Sequence, residues 1–332
     1  MTYLWALPAL SASLIGSSAA TTAVEPPITP VTSEIEAIAP NITDPQTEII
    51  DLDEDRANRF TVPVTIEGSG PFDFMIDTGS QATAVTHQIN DGLQLTPFGT
   101  ATLVGMASTR PVNVVEVDSM SFGSHTVHDI VSPVLDARHV GADGILGLDS
   151  LQDLRVLIDF REETIAVQDV STIRNHRAGF EIIVRARREL GQLLITSASV
   201  EGVDAIVIID TGAQGSIGNL ALQRRLRNMR AQEVTTTDVN GVDLVGELSY
   251  VRSLNIEGLS LQNVPLAFAD APAFEALGLK DTPVISLGMQ HLRMFDRVAI
   301  DFSNQRILFD VPRDVARALR RQRSSGYSSI EY

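Results

Sequence analysis

Apolar residues along this chain fall into short runs rich in Val and Ile, and Gly, Asp and Asn break the runs at close intervals. That punctuation, with few aromatics, predicts a mostly β protein. Two runs are continuously apolar, Phe74-Met75-Ile76 and Ile206-Val207-Ile208-Ile209, as strands buried on both faces are. Each ends in the same tripeptide, Asp77-Thr78-Gly79 and Asp210-Thr211-Gly212.

The repetition extends well past the tripeptide. Ile145-Leu146-Gly147-Leu148 leads to Leu157-Ile158-Asp159-Phe160, and Ser286-Leu287-Gly288-Met289 leads to Ala299-Ile300-Asp301-Phe302. The aspartates lie 133 residues apart, and the later landmarks 141 and 142 apart. An internal repeat of this length predicts two copies of one folding unit, with small loop insertions accounting for the drift. Between landmarks, Thr100 to Val104 and Val112 to Val117 predict a hairpin with Gly105 to Thr109 at its tip. Val234 to Val239 and Leu244 to Val251 predict its counterpart around Asn240-Gly241. A pair of short strands is expected after each hairpin, at Met120 to Gly123 and Leu254 to Gly258.

Two aspartates brought together can share one proton, so that one activates a water while the other protonates a carbonyl. One Asp-Thr-Gly is a weak signal; two, each with matching downstream elements, are a strong one.

On these motifs, residues 58 to 312 resemble the retropepsin-like aspartic proteases in the single-chain, two-lobed arrangement that pepsin-like enzymes also use. The resemblance implies an all-β fold of two tandem closed-barrel lobes, with the active site at the interlobe cleft and the hairpins folded over it as flaps. It implies Asp77 and Asp210 as catalytic residues, and aspartic endopeptidase activity on a polypeptide substrate with no cofactor and no metal. Thr78 and Thr211 would bond across to the opposite loop, and Gly79 and Gly212 would let backbone approach the carboxylates. Ser80 and Ala213 complete the supporting loops. Because serine can donate to a carboxylate and alanine cannot, Ser80 is expected to favour ionised Asp77 and leave the proton on Asp210. Gln81 and Gln214, with Gly105 and Gly241, are the candidate substrate contacts. Three departures stand out: no Tyr in 96 to 120, Leu148 and Met289 where viral members carry Arg, and Ser286 in place of an apolar residue.

Composition narrows the rest. The 332 residues carry a net charge of −17, which argues against a nucleic-acid partner. There is no cysteine, which excludes disulfides, thiol catalysis and thiolate metal sites. The six histidines show no paired zinc spacing. Leu4 to Gly16 has the length of a signal-peptide apolar region, followed by small residues, although no Lys or Arg precedes it. Residues 1–20 are therefore read as a signal peptide, with an uncleaved anchor near a membrane as the alternative. Residues 21–57, acidic and rich in Thr and Pro, read as a disordered tether. Then follow a lobe at 58–170, a connection at 171–190, a second lobe at 191–312 and a basic tail at 313–332. Arg224, Arg225, Arg227 and Arg230 are expected on a helix from Leu220 to Met229, as a solvated basic face. Lys280 is the only lysine, a skew that points to a GC-rich bacterial genome and hence to the periplasm.

Two other readings stay open on sequence alone. One is a non-catalytic peptide-binding protein on the same fold. The other is an assembly that needs dimerisation, which the duplication makes unnecessary; a monomer is expected.

Overall fold

A computed structural model describes residues 60–169, 179–189, 192–226, 230–257, 259–313 and 315–317, with short strands at Ala12–Leu14, Glu48–Asp51 and Asp53–Glu54. The rest of the expected signal peptide, acidic tether, lobe connection and basic tail lies outside the described residues.

Each lobe opens with an antiparallel hairpin. Phe60–Ile66 pairs with Ser69–Ile76, and Gln192–Val200 with Val203–Ile209. Their two-residue turns match: Glu67 and Gly68 have φ of 49° and 77°, Glu201 and Gly202 of 48° and 81°. Positive φ at both positions twists the turn in the sense that the strands require, which explains Gly at the second.

The strand that ends before each aspartate sits in the same local sheet in both lobes. Ser69–Ile76 runs parallel to Gly144–Leu146, which pairs antiparallel with Ala84–Thr86, itself parallel to His125–Leu135. In the second lobe the order is Val203–Ile209, Val284–Leu287, Ile217–Asn219 and Leu259–Ala269, with the same directions. The sequence repeat is thus a structural repeat, and the protein is mostly β with two tandem lobes.

The expected hairpins form, from Thr96–Val104 with Thr109–Phe122 and from Gln232–Asp238 with Asp243–Ile256. The short strands expected at Met120 to Gly123 and Leu254 to Gly258 are not separate elements. They are the ends of two 14-residue strands that leave their hairpins and continue into the lobe body. The expected helix at Leu220 to Met229 is a single turn, Leu220–Gln223, capped by the Asn219 side chain accepting from Leu222 N. Arg224 and Arg225 follow it as a turn, and residues 227–229 lie outside the described residues.

A third sheet joins the lobes. Leu154–Asp159 pairs antiparallel with Arg297–Asp301, flanked by Thr164–Asp169 on one side and by Arg306–Asp310 and Ile182–Glu189 on the other. Leu157 faces Ala299 at the centre, so Arg155 lies opposite Asp301 and Asp159 opposite Arg297. Both arginines are buried, and each guanidinium lies 5.2 Å from the centroid of the Phe180 ring. One apolar cluster crosses this sheet, from Val62 and Phe74 through Val156, Ile158, Val298 and Ile300 to Ile209 and Phe268.

Candidate active site

Hydrogen bonding at the strand ends places the two aspartates. Asp77 N donates to Leu146 O at 3.0 Å and Asp210 N to Leu287 O at 3.1 Å, extending each parallel pairing by one residue. The chain then turns, and both side chains are fully buried.

The two loops grip each other through their threonines. Thr78 N donates to Thr211 Oγ1 at 3.0 Å, and Thr211 N to Thr78 Oγ1 at 3.2 Å. Each hydroxyl in turn donates across the interface, Thr78 to Ile209 O at 2.8 Å and Thr211 to Ile76 O at 2.7 Å. The threonines therefore do what the resemblance implies. Gly212 lies directly against the opposite carboxylate, and a Cβ there would overlap Asp77.

Backbone donors treat the two carboxylates alike. Asp77 Oδ1 accepts from Gly79 N at 2.8 Å and Ser80 N at 2.9 Å. Asp210 accepts from Ala213 N, at 3.0 Å to Oδ1, and from Gly212 N. A side-chain donor breaks the match, and it is not the expected one. The Ser80 hydroxyl donates to Ala82 O at 2.9 Å, two residues on, so Ser80 supports Asp77 through its N–H alone. A serine in a tight turn commonly satisfies itself on nearby backbone in this way. Instead, Ser286 Oγ donates to Asp210 Oδ2 at 2.7 Å.

Burial, and next the charge of Asp77, push Asp210 well above the ordinary value of 3.8; the bonds from Ser286, Ala213 and Gly212 pull it back. Two buried carboxylates in one site titrate as a pair, and this pair gives up its last proton only well above 3.8.

Behind each loop stands its glycine element. Leu148 N donates to Ser80 O and Asp149 N to Gln81 O; Met289 N donates to Ala213 O and Gln290 N to Gln214 O. A Cβ at Gly147 would overlap the backbone of Ala82, and one at Gly288 that of Gly215. Thr83 Oγ1 accepts from Gly147 N, and Ser216 Oγ from Gly288 N. Thr83 then bonds Asp149 and Ser150, while Ser216 bonds His291 Nδ1 at 2.7 Å. Burial raises the Asp149 carboxyl and lowers His291 to about 4.

The hairpin tips meet each other, and each buries an apolar residue in the other lobe. Met106 joins Leu194, Ile208, Ile217 and Leu244 of the second lobe, and Val239 joins Met75, Leu103, Leu135 and Val140 of the first. Asp238, buried at the second tip, ties them together. Its Oδ2 accepts from Ala107 N at 3.1 Å and Ser108 Oγ at 2.8 Å, and its Oδ1 accepts from Asn240 N and Val242 N. Gly105 is pressed on the Asp238 side chain and Gly241 on the His139 ring, where a Cβ would overlap in either case. These two glycines are thus tip-docking positions in the observed state. Gln81 and Gln214 sit half-buried on the aspartate loops.

Several contributors escaped the sequence reading. Gln192, buried, donates from Nε2 to Gly79 O at 2.7 Å, and nothing in the pattern marks it. Asp238, Met106 and Val239 act only across the lobe boundary. Ser286 stood out as a departure, but not as a donor.

A family model described as aspartyl protease matches residues 62–150 and 196–291, more than half of the chain. The two segments coincide with the two structural repeats, each running from the opening hairpin to the glycine element. No curated protein sequence matches the chain. The chain belongs to the aspartyl protease family.

Proposed function

We propose that this aspartyl protease family member is an endopeptidase in which Asp77 and Asp210 form the catalytic dyad. The observation that carries the reading is the reciprocal Thr78–Thr211 grip, which holds two buried carboxylates against each other with Gly212 as the spacer. A pair holding one proton supplies a base and an acid together. As water adds to the scissile carbonyl carbon, the ionised aspartate takes a proton from the water, and the carbonyl oxygen takes the proton of its partner. The tetrahedral diol then collapses: one aspartate takes a hydroxyl proton from it, the other gives its proton to the nitrogen, the C–N bond breaks and the amine leaves, with one proton again on the dyad.

The substrate is a polypeptide held extended beneath the two hairpins, which act as flaps and offer strand edges for main-chain pairing. Gln81 and Gln214 are placed on the dyad loops to contact it. Water is the nucleophile, so the reaction as written calls on no cofactor. One chain carries both half-sites, which supports a monomer, and the apolar N-terminal stretch with its small residues supports export to a periplasm.

The test is cleavage of a diverse peptide mixture by the purified full chain from acid to neutral pH, beside Asp210→Asn. Cuts present in the wild type and absent in the variant are expected. A folded wild type that cuts nothing at any pH, with or without removal of residues 1–57, turns the reading toward a peptide-binding protein. Cuts that persist in Asp210→Asn assign the chemistry elsewhere.

A further inference from the structure

The lobes agree closely around the two aspartates and part at one buried position. Ile145 lies beside Met75 in the first lobe, and Ser286 lies in the same register beside Ile208 in the second. Both are buried. Ile145 adds its methyl groups to an apolar cluster with Met75, Ala84 and Leu135. Ser286 sends its hydroxyl to Asp210 Oδ2. A buried serine among strands of Val, Ile and Leu forfeits apolar contact and must satisfy a hydroxyl, so packing alone gives no reason for it. The aspartate is its reason.

We propose that Ser286 is a positioning residue whose hydroxyl makes Asp210 the charged member of the pair and leaves the shared proton on Asp77. This rests on the catalytic reading of the pair given above. Each carboxylate accepts N–H bonds from its own loop. An O–H donor stabilises the ionised form, and the equivalent side chain on the Asp77 side, Ile145, has none to give. Asp210 is then the base that takes the proton from water, and Asp77 is the acid that supplies the carbonyl oxygen; the pair holds one proton before the addition and one after it.

Asp77, on the facing loop, is the ionisable group that acts most strongly on Asp210. On the helix packed behind the second loop, His291 is bonded to Ser216, and behind the first loop Asp149 is bonded to Thr83 and Ser150. Strand Val203–Ile209 brings Asp204, exposed near its far end. None of these is bonded to Asp210.

The two limbs of the pH profile separate the possible roles. If Asp210 carries the first negative charge, loss of the hydroxyl makes the first ionisation harder and leaves the second unchanged. Ser286→Ala is therefore expected to move the acidic limb of kcat/KM up by roughly one pH unit, lower kcat about 10-fold and leave KM nearly unchanged. Ser286→Thr, which keeps the hydroxyl, is expected to restore the wild-type limb. A shift of the basic limb instead would make Asp210 the acid and overturn the proposal. Unmoved limbs, with a folded variant, would reduce Ser286 to a packing residue and overturn it as well. Titration of protein carrying 13C at the aspartate γ-carbons gives a second readout without turnover. Asp210, identified through Asp210→Asn, should ionise before Asp77 in the wild type and lose that lead in Ser286→Ala. An inactive wild type would refute the catalytic reading, while this titration would still decide the order of ionisation.

Discussion

Met106 and Val239 occupy equivalent places at the two hairpin tips, 133 residues apart, and each is buried in the opposite lobe. The two tips are therefore joined by exchange, with Asp238 tying them at the crossing point. Parting them requires both apolar anchors to leave their pockets.

Shortening one anchor should loosen both tips. Burial of a Met side chain contributes about 1.5–3 kcal/mol, so Met106→Ala is expected to speed amide exchange in residues 105–108 and 239–242 by about 10-fold or more. Strands Ser69–Ile76 and Val203–Ile209 should stay protected. Hydrogen exchange read by mass spectrometry decides it; acceleration confined to residues 105–108 would show that the tips move independently.

Gly212 leaves no room for a methyl group beside Asp77. Gly212→Ala should abolish peptide cleavage and cost roughly 1–3 kcal/mol of stability through overpacking. Urea unfolding measures the second effect, and wild-type stability would mean that the loops can part without penalty.

Asp210 is buried beside Asp77, and the pair holds its last proton to well above 3.8. A carboxyl whose folded-state value is raised contributes its stability at low pH and loses it as pH rises through that value. Asp210→Asn removes this loss. The variant is thus expected to melt higher than the wild type at neutral pH, with the difference shrinking as pH falls toward 3.8. A difference that grows on acidification would reverse the sign of this argument.

His291 behaves in the opposite sense. Burial lowers it from 6.5 to about 4, so the folded protein resists a proton that the unfolded chain accepts. Its contribution is complete above 6.5 and is lost as pH falls from 6.5 to about 4, a change of about 3 kcal/mol. His291→Asn should flatten the pH dependence of unfolding over that window. Denaturant titrations of both proteins at a series of pH values test it.

Much of this was legible in the chain because it was written twice. The aspartates, the threonine grip, the glycine elements and the paired hairpins recur at nearly constant spacing, and a duplicated signal survives where a single one would be noise. What was missed has no such echo. Gln192 meets Gly79 only after the lobes assemble, and Asp238 acts on a tip 130 residues away. Ser80 misled for a local reason: its hydroxyl had a carbonyl within two residues, closer to hand than the carboxylate. The repeated Arg-Val-x-Ile-Asp-Phe, at Arg155 to Phe160 and Arg297 to Phe302, was present to be read in full. Only its apolar half and aspartate entered the pattern, and the arginines became meaningful once the two copies were seen face to face.

That pairing bears on symmetry. In an antiparallel register centred on Leu157 and Ala299, Arg155 meets Asp301 and Asp159 meets Arg297, so a strand with this spacing is complementary to a reversed copy of itself. Self-complementarity is what a twofold-symmetric pair of identical subunits requires of its contact surface. The seam inside this chain has the form of an interface between two equal molecules. With both halves on one chain the two copies need not be identical, and the isoleucine that faces one aspartate's strand is the serine that touches the other aspartate.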